Sequence, residues 1–414
     1  MKIVSFVCGE HSSGICVYEN NKIVHFLEEE RYCKVKYSID FSEGMFRYPA
    51  RCLEKLKKIN FDYKDVDYFL FQKSNGRQIE GFIDSCLSYD IPDIKSLNHK
   101  MITYDHHDSH AALAYYTSGF SKNDNCLVIT MDGSGDNFSS KYFLANNNKM
   151  NYISGNDVSR NSFGMYYCLL TEFLGFKRIK DEGKIVGMSS HGQYNEFFYS
   201  LFENTIGEID DIFTMKNERG FCEMFQYFYT KFFEEIGDVF YKKTEFLNDI
   251  AYNGQLVFED KICEVINNLH KKFPSYNKLC LSGGCFANVK LNKRINELEW
   301  VDEVYVTPSM DDNGLTMGSI FLQNSKIGEQ EIIKLENVYF GTEYSEKEVM
   351  QIFDNCKKIK YMDLDLNKVS NLLVHNNIIG LFQGKMEGGP RALGNRSIIA
   401  RPDIPYEKLN KRLH

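Results

Sequence analysis

Leu127-Val-Ile-Thr-Met-Asp-Gly-Ser-Gly-Asp136 reads as an apolar strand that ends in Asp132 on a short polar turn carrying two glycines. The sequence after it continues with a strand (Lys141–Leu144), an Asn-rich turn and a further strand (Met150–Ser154). The start of the chain follows the same plan. Ile3–Val7 leads into the loop Cys8-Gly-Glu-His-Ser-Ser-Gly14, then Ile15–Tyr18, an Asn turn and Lys22–Phe26. In each unit the first loop is polar and bears glycine, so backbone N–H groups can come close to a phosphate. Two such meanders, each followed by sequence of helical character, predict two similar α/β lobes around a cleft.

That plan is similar to the one shared by the actin-like and sugar-kinase ATPases. Between the two units lies Tyr104-Asp-His-His-Asp-Ser-His-Ala-Ala-Leu113. His106 and His110 are four residues apart, so a helix over the Ala-rich run would send both imidazoles from one face. Asp132, at the end of a strand, could be aimed at the same point. Two histidines and a carboxylate make a first shell for a divalent transition metal. On spacing alone, a helix N-terminus with His106 near the cap and His110 on a polar face is an equal reading.

The global properties suit a soluble enzyme. A chain of 414 residues has room for two or three domains with cores of their own. A net charge of −8 disfavours a broad nucleic-acid footprint. No apolar run reaches membrane-spanning length, and the N-terminus lacks a signal-peptide core, so a cytoplasmic location without membrane attachment is expected. The 12 cysteines are scattered without a Cys-x-x-Cys pair and read as reduced core residues.

Further along, Ser162-Phe-Gly-Met-Tyr-Tyr reads as a helix opened by Ser162 and stopped near Gly175. Glu182-Gly-Lys-Ile-Val-Gly-Met-Ser-Ser-His-Gly192 reads as a cleft loop running into a helix, and residues 196–250 as a helical insertion with an aromatic core stripe. Leu279-Cys-Leu-Ser-Gly-Gly-Cys-Phe-Ala-Asn288 is a buried strand ending in two glycines that open a helix, a place where free N–H groups face an anion. Asn288 would sit one turn into that helix. In Pro308-Ser-Met-Asp-Asp-Asn-Gly314 either Asp311 or Asp312 could supply a fourth metal ligand, or cap the following helix. Last comes Gln383-Gly-Lys-Met-Glu-Gly-Gly-Pro-Arg-Ala-Leu-Gly-Asn-Arg-Ser397, where Lys385, Arg391 and Arg396 sit among glycines in a manner suited to phosphate or carbamoyl-phosphate oxygens.

With these motifs in order, the chain resembles the O-carbamoyltransferase family that includes nodulation protein U and the cephalosporin and tobramycin carbamoyltransferases. The resemblance runs through Glu30-Arg-Tyr, His106-x-x-x-His110, Met131-Asp-Gly, Glu182-Gly-Lys, Ser282-Gly-Gly and Gly389-Pro-Arg-Ala-Leu-Gly-Asn-Arg-Ser397. It implies an actin-like carbamoyl-transfer domain over residues 1–330, with lobes of about 1–115 and 120–325. It also implies the beginning of an α/β YrdC-like domain over 331–414. The implied reaction moves a carbamoyl group from carbamoyl phosphate, through a carbamoyl-adenylate made with ATP and Mg2+, to a hydroxyl of a small natural-product or sugar-like acceptor.

Residue by residue, the resemblance makes His106, His110, Asp132 and Asp312 the ligands of a divalent metal, with Fe2+ favoured and Mn2+ or Zn2+ as alternatives. It places Lys36, Ser162, Gly284 and Asn288 around the adenylate and Lys385, Arg391 and Arg396 at carbamoyl phosphate. His11 takes the position of the histidine that accepts the proton of the attacking hydroxyl. Two departures matter. His11 is followed by Ser12-Ser13-Gly14 where the family usually reads His-Asp-Ala-Ser, and Gly9 stands where an acceptor-binding Asp occurs, which leaves the acceptor open. The family also continues past Asn410-Lys-Arg-Leu-His414 into further phosphate-binding sequence. The expectation is therefore a fragment that binds nucleotide but lacks the activation step, with Lys385, Arg391 and Arg396 poorly ordered. Threonylcarbamoyl transfer to tRNA, a sugar or acetate kinase, and a non-catalytic nucleotide-binding subunit are the competing readings; oligomeric state is left open.

Overall fold

The computed structural model describes residues 1–414 except 9–11, 35, 37–48, 74–78, 80–82, 84–93, 158–161, 210–214, 217–225, 228, 232–233, 235–238, 357, 359 and 405–414. The first sheet is built from β1 (Lys2–Cys8), β2 (Ser13–Glu19), β3 (Lys22–Glu28), β4 (Tyr68–Gln72) and β5 (Met101–Tyr104), in the order β3-β2-β1-β4-β5. The meander β1-β2-β3 is antiparallel, with Val4 opposite Val17, whereas β4 and β5 add in parallel. The second sheet contains β6 (Cys126–Gly135), β7 (Phe138–Asn146) and β8 (Lys149–Asp157). Past a two-stranded ribbon of β9 (Glu208–Ile209) and β10 (Met215–Lys216), it is completed by β11 (Lys278–Ser282) and β12 (Glu303–Val306). Its order read from the meander edge is β8-β7-β6-β11-β12, with the same antiparallel and parallel pairings. The duplication legible in residues 3–28 and 127–154 therefore extends to the whole of both sheets. These are the two α/β lobes of an actin-like fold.

The helices among the described residues include α1 (Glu30–Cys33), α2 (Ala50–Lys58), α3 (His106–Tyr116), α4 (Phe163–Phe173), α5 (Glu182–Met188), α6 (Glu196–Ile206), α7 (Val239–Lys272), α8 (Val289–Asn296), α9 (Leu315–Lys326) and α10 (Glu346–Asp354). The alternation of strand side chains sorts the core into layers. Val4 and Phe6 face outward onto Cys52, Leu53 and Leu56 of α2. Ile3 and Cys16 face inward, where they share a core with Ala111–Tyr116 of α3 and Met317, Ile320 and Phe321 of α9. Val128 and Cys280 reach the same core from the second sheet, while Leu127, Ile129 and Met131 face α4, α6 and α7 on the far side. Helices α3 and α9 thus form a shared middle layer. The first follows β5 yet packs on β6 and β11; the second follows β12 yet packs on β1 and β4. This exchange delivers the N-termini of both helices, and the residues on them, to one place between the lobes.

Local expectations hold in most places and shift in two. Ser162 caps α4, accepting a hydrogen bond from the Met165 N–H at 3.0 Å. The aromatic residues Phe198 and Phe202 of α6 are buried in the core, as the stripe predicts. Residues 182–188, expected as a loop leading into a helix, are themselves α5; their two glycines do not break it because Ile185 anchors the turn in the core. A 3-10 turn over Gly284–Ala287 precedes α8, so Asn288 is its N-cap and not a residue one turn inside. The C-terminal part holds α10, opened by a Ser345/Glu348 capping box, then α11 (Leu366–Val374) and the antiparallel pair β13 (Ile379–Phe382) and β14 (Arg396–Ile399). No helix among the described residues is long and apolar enough to cross a membrane.

Candidate metal centre

Helix α3 begins where Asp105 takes extended backbone and caps it, accepting from the Asp108 N–H at 3.1 Å. Starting the helix at His106 puts His106 and His110 on one face, their rings edge-to-face with centroids 4.8 Å apart. Asp132, where β6 turns, and Asp312, on the 3-10 turn before α9, complete a cluster of four buried residues. One ligand atom from each lies within 4.8 Å of all the others. His110 Nε2 is 3.5 Å from both Asp132 Oδ2 and Asp312 Oδ1, and His106 Nε2 is 3.6 Å from Asp312 Oδ1. Metal–ligand bonds of about 2.0–2.2 Å put first-shell donors roughly 3–4 Å apart, so the cluster needs only a slight contraction to close on an ion.

The chemistry of the donors fits that use. Both Nε2 atoms are buried with no hydrogen-bond partner, a costly condition for a polar nitrogen unless something else occupies its lone pair. His110 Nδ1 bonds Ser282 Oγ at 3.0 Å, and with the serine oxygen accepting from Nδ1–H the Nε2 lone pair is left to face the cluster. In the metal-free chain, burial lowers the His110 pKa, but the nearby carboxylates of Asp132 and Asp312 outweigh it and push the imidazole up to about 9. A divalent cation would take the place of that proton. His106, whose burial dominates over Asp312, is held below the ordinary histidine value. Neighbouring His107 is a structural residue by contrast, bonded to Thr130 Oγ1 at 2.9 Å and the Phe138 carbonyl at 3.0 Å, with burial driving its pKa down to about 3.

Backbone groups fix the carboxylates. Asp132 Oδ1 accepts from the Gly133 N–H at 2.7 Å and Oδ2 from the Gly284 N–H at 2.9 Å. Ser162 Oγ donates to the Gly133 and Asp132 carbonyls, at 2.7 and 3.2 Å. At the far end of the same turn Asp136 Oδ2 accepts from the His106 N–H at 2.8 Å. Gly135, between them, has His106 directly against it: a Cβ there would lie 2.2 Å from the imidazole ring. Of the two aspartates left open in the sequence, Asp312 joins the cluster. Asp311 accepts from Asn313 Nδ2 at 3.2 Å, and its pKa is pushed up to about 8 by burial and by the charges of Glu28, Glu30 and Asp312.

The remaining sequence candidates divide. Ser162 and Gly284 touch the Asp132 turn as described. Asn288 exchanges two hydrogen bonds with Gln255, at 2.9 and 3.1 Å, while capping α8. Lys36 reaches across the cleft to the Lys180 carbonyl, with burial lowering its pKa against the pull of Glu182. His11 lies outside the described residues. In the segment bearing Lys385, Arg391 and Arg396, residues 386–389 are buried, whereas Lys385 and Arg391 are exposed. Arg396 is paired with buried Glu387 at 3.2 Å, and Arg391 donates to the Ala287 carbonyl beside the Gly284 turn. Sequence reasoning missed Ser282 and Asp136 as partners of the histidines. Each lies on a glycine turn already singled out, and a hydroxyl or carboxylate on the turn that carries a candidate ligand is the signal that could have found them.

The chain is similar to several known proteins. Residues 76–321 match the family model described as carbamoyltransferase N-terminus, and residues 370–414 match carbamoyltransferase C-terminus. An uncharacterized protein of Methanocaldococcus jannaschii is 29% identical over 98% of this chain and 75% of its own length. A second from that organism is 32% identical, over 74% of this chain and 52% of its own length. Nodulation protein NolNO of Sinorhizobium fredii is 23% identical, over 97% of this chain and 60% of its own. The chain thus spans between about half and three quarters of the length of these relatives. Among solved structures, full-length HypF in a phosphate- and nucleotide-bound form aligns with a TM-score of 0.45 at 12% identity, covering 80% of this chain and 56% of that one. With the N-terminal model alone matching more than half of its residues, the chain belongs to the carbamoyltransferase family.

Proposed function

We propose that this protein transfers a carbamoyl group to a hydroxyl of a small, sugar-like or natural-product acceptor. Carbamoyl phosphate and ATP, with Mg2+, would be the source of the group by way of a carbamoyl-adenylate. The observation that carries the reading is the buried His106–His110–Asp132–Asp312 cluster at the meeting point of the two lobes. A divalent ion held there, Fe2+ in the first instance, would supply Lewis-acid polarisation of a carbamoyl oxygen.

The chain's own residues supply placement. Ser282 orients His110, and the Gly284 N–H and Ser162 hold the Asp132 turn, so Ser162 and Gly284 act first as positioning groups for a ligand. Their place at the cluster's edge supports assigning the same loops to an adenylate phosphate. In the transfer itself the acceptor oxygen bonds to the carbamoyl carbon and the bond from that carbon to the adenylate phosphate oxygen breaks. AMP leaves, and the hydroxyl proton goes to His11. Asn288, spent on Gln255, is better placed to stiffen the turn than to bind directly.

The test supplies 14C-labelled carbamoyl-adenylate and Fe2+, so that transfer is read apart from activation, with a panel of sugar and amino-sugar alcohols, and γ-labelled ATP in a parallel arm. Label should enter a carbamate ester and vanish with His106→Ala. Transfer of the ATP γ-phosphate to the acceptor, with no carbamate formed, would overturn the reading in favour of a kinase.

A further inference from the structure

The segment Met386–Gly389 is buried against the first lobe, and its partners are specific. Glu28 and Arg31, at the end of β3 and on α1, grip Gly389 from both sides of its peptide. The Gly389 N–H donates to Glu28 Oε1 at 3.1 Å, and the Arg31 guanidinium donates to the Gly389 carbonyl at 2.9 Å. The same guanidinium closes the ring with Glu28 Oε2 at 2.9 Å. Glu28 is 2% exposed, so this carboxylate has exchanged water for these donors.

What the grip holds is a close approach to the loop carrying Asp312. Gly389 has φ +94°, and a Cβ there would lie 2.5 Å from the Pro308 carbonyl oxygen and 3.1 Å from Ser309 Cα. Pro308 is four residues before Asp312, and Thr307 and Ser309 beside it are fully buried. One residue further on from Pro390, Arg391 reaches the Ala287 carbonyl on the turn whose Gly284 N–H holds Asp132. A single short strap therefore touches the first lobe, the Asp312 loop and the Asp132-holding turn.

We propose that Glu28 and Arg31 are positioning residues that clasp the strap Gly388–Arg391 against the Pro308–Asp312 loop, so that strap placement sets the geometry of the metal cluster. The proposal rests on the metal reading above. It adds that the C-terminal segment and the cluster respond to one another. Lysine at position 31 cannot serve, because a single ammonium lacks the planar fork that bonds carboxylate and carbonyl together.

The test uses the full chain as wild type, Arg31→Ala, Arg31→Lys and Gly389→Ala, with two readouts: amide hydrogen exchange across residues 386–397, and the Kd for Zn2+ by competition with a chelator. Both Arg31 variants should speed exchange at Gly389 about 10–100-fold and raise the Zn2+ Kd about 10-fold. Gly389→Ala should raise the Kd with Glu28 and Arg31 intact, and carries the test if Arg31→Ala does not fold. Unchanged exchange at Gly389 in the Arg31 variants, or faster exchange with an unchanged Kd, would overturn the clasp. Failure of the metal reading shows separately, as a wild type that takes up no Zn2+ or a His106→Ala variant that takes up as much.

Discussion

Replacing Gly135 by alanine should empty the metal centre without removing any ligand. The added Cβ would stand 2.2 Å from His106 Cδ2 and 2.3 Å from Cγ. Nonbonded carbons settle near about 3.5 Å, so the imidazole has to move by roughly 1.3 Å. Metal–ligand distances tolerate about 0.2 Å, so a displacement of that size takes His106 out of the first shell. The loss should be no smaller than the about 10–100-fold that removal of an outer-shell partner costs. The assay is a Zn2+ titration against a chelator, with circular dichroism showing that the fold persists. A double-mutant cycle sharpens it: His106→Ala/Gly135→Ala should bind Zn2+ no worse than His106→Ala alone, because both act through one ring. Affinity within twofold of wild type in Gly135→Ala, or additive losses in the cycle, would refute the reasoning.

Ser282→Ala removes the partner of His110 Nδ1 and should weaken Zn2+ about 10–100-fold, read in the same titration, while Ser282→Thr keeps the hydroxyl and should restore most of it. Because the His110 pKa is raised to about 9, that group favours the folded metal-free chain below its ordinary value near 6.5, and the contribution is lost as pH climbs through about 9. Metal must displace the same proton, so Zn2+ affinity should rise with pH through that window and level off above it; a flat profile between pH 6.5 and 9 would count against a proton on His110. Arg396→Ala leaves buried Glu387 without its guanidinium and should destabilise the β13–β14 pair by about 1.5–3 kcal/mol, measured as faster amide exchange at Leu381 and Ser397. His11→Ala should leave metal content unchanged and slow transfer about 10²–10⁴-fold; loss of metal in that variant would make His11 structural.

The duplication was legible because a meander writes itself locally. Apolar runs of four or five residues, separated by glycine or asparagine turns, announce β1 to β3 and β6 to β8 before any long-range contact is known. His106 and His110 were legible as a pair for the same reason, since helical spacing is a local property. What the spacing could not say is that Asp312, some two hundred residues away, would join them rather than Asp311. That choice depends on α9 crossing to the first sheet and on Asp311 taking extended backbone, with ψ 175°, just before the turn. Register of that kind is decided by tertiary packing and leaves no trace in the two adjacent aspartates.

The same division applies to the basic C-terminal motif. Lys385, Arg391 and Arg396 read as a phosphate site because guanidinium groups among glycines suit one, and a sequence offers no sight of a partner carboxylate. In the fold, Glu387 stands two residues from Lys385, with its side chain turned in to accept from the Leu393 and Arg396 N–H groups at 2.7 and 3.1 Å. Arg396 completes that arrangement, so its charge already has a buried partner before any ligand arrives. A phosphate would have to compete with Glu387 for it. Arg391, exposed and bonded only to a backbone carbonyl in the described structure, has no carboxylate to give up. An anion entering from the Gly284 side should therefore engage Arg391 first. Inorganic phosphate titrations of Arg391→Ala and Arg396→Ala would separate the two: if Arg396→Ala alone abolished phosphate binding, the ordering argued from Glu387 would be wrong.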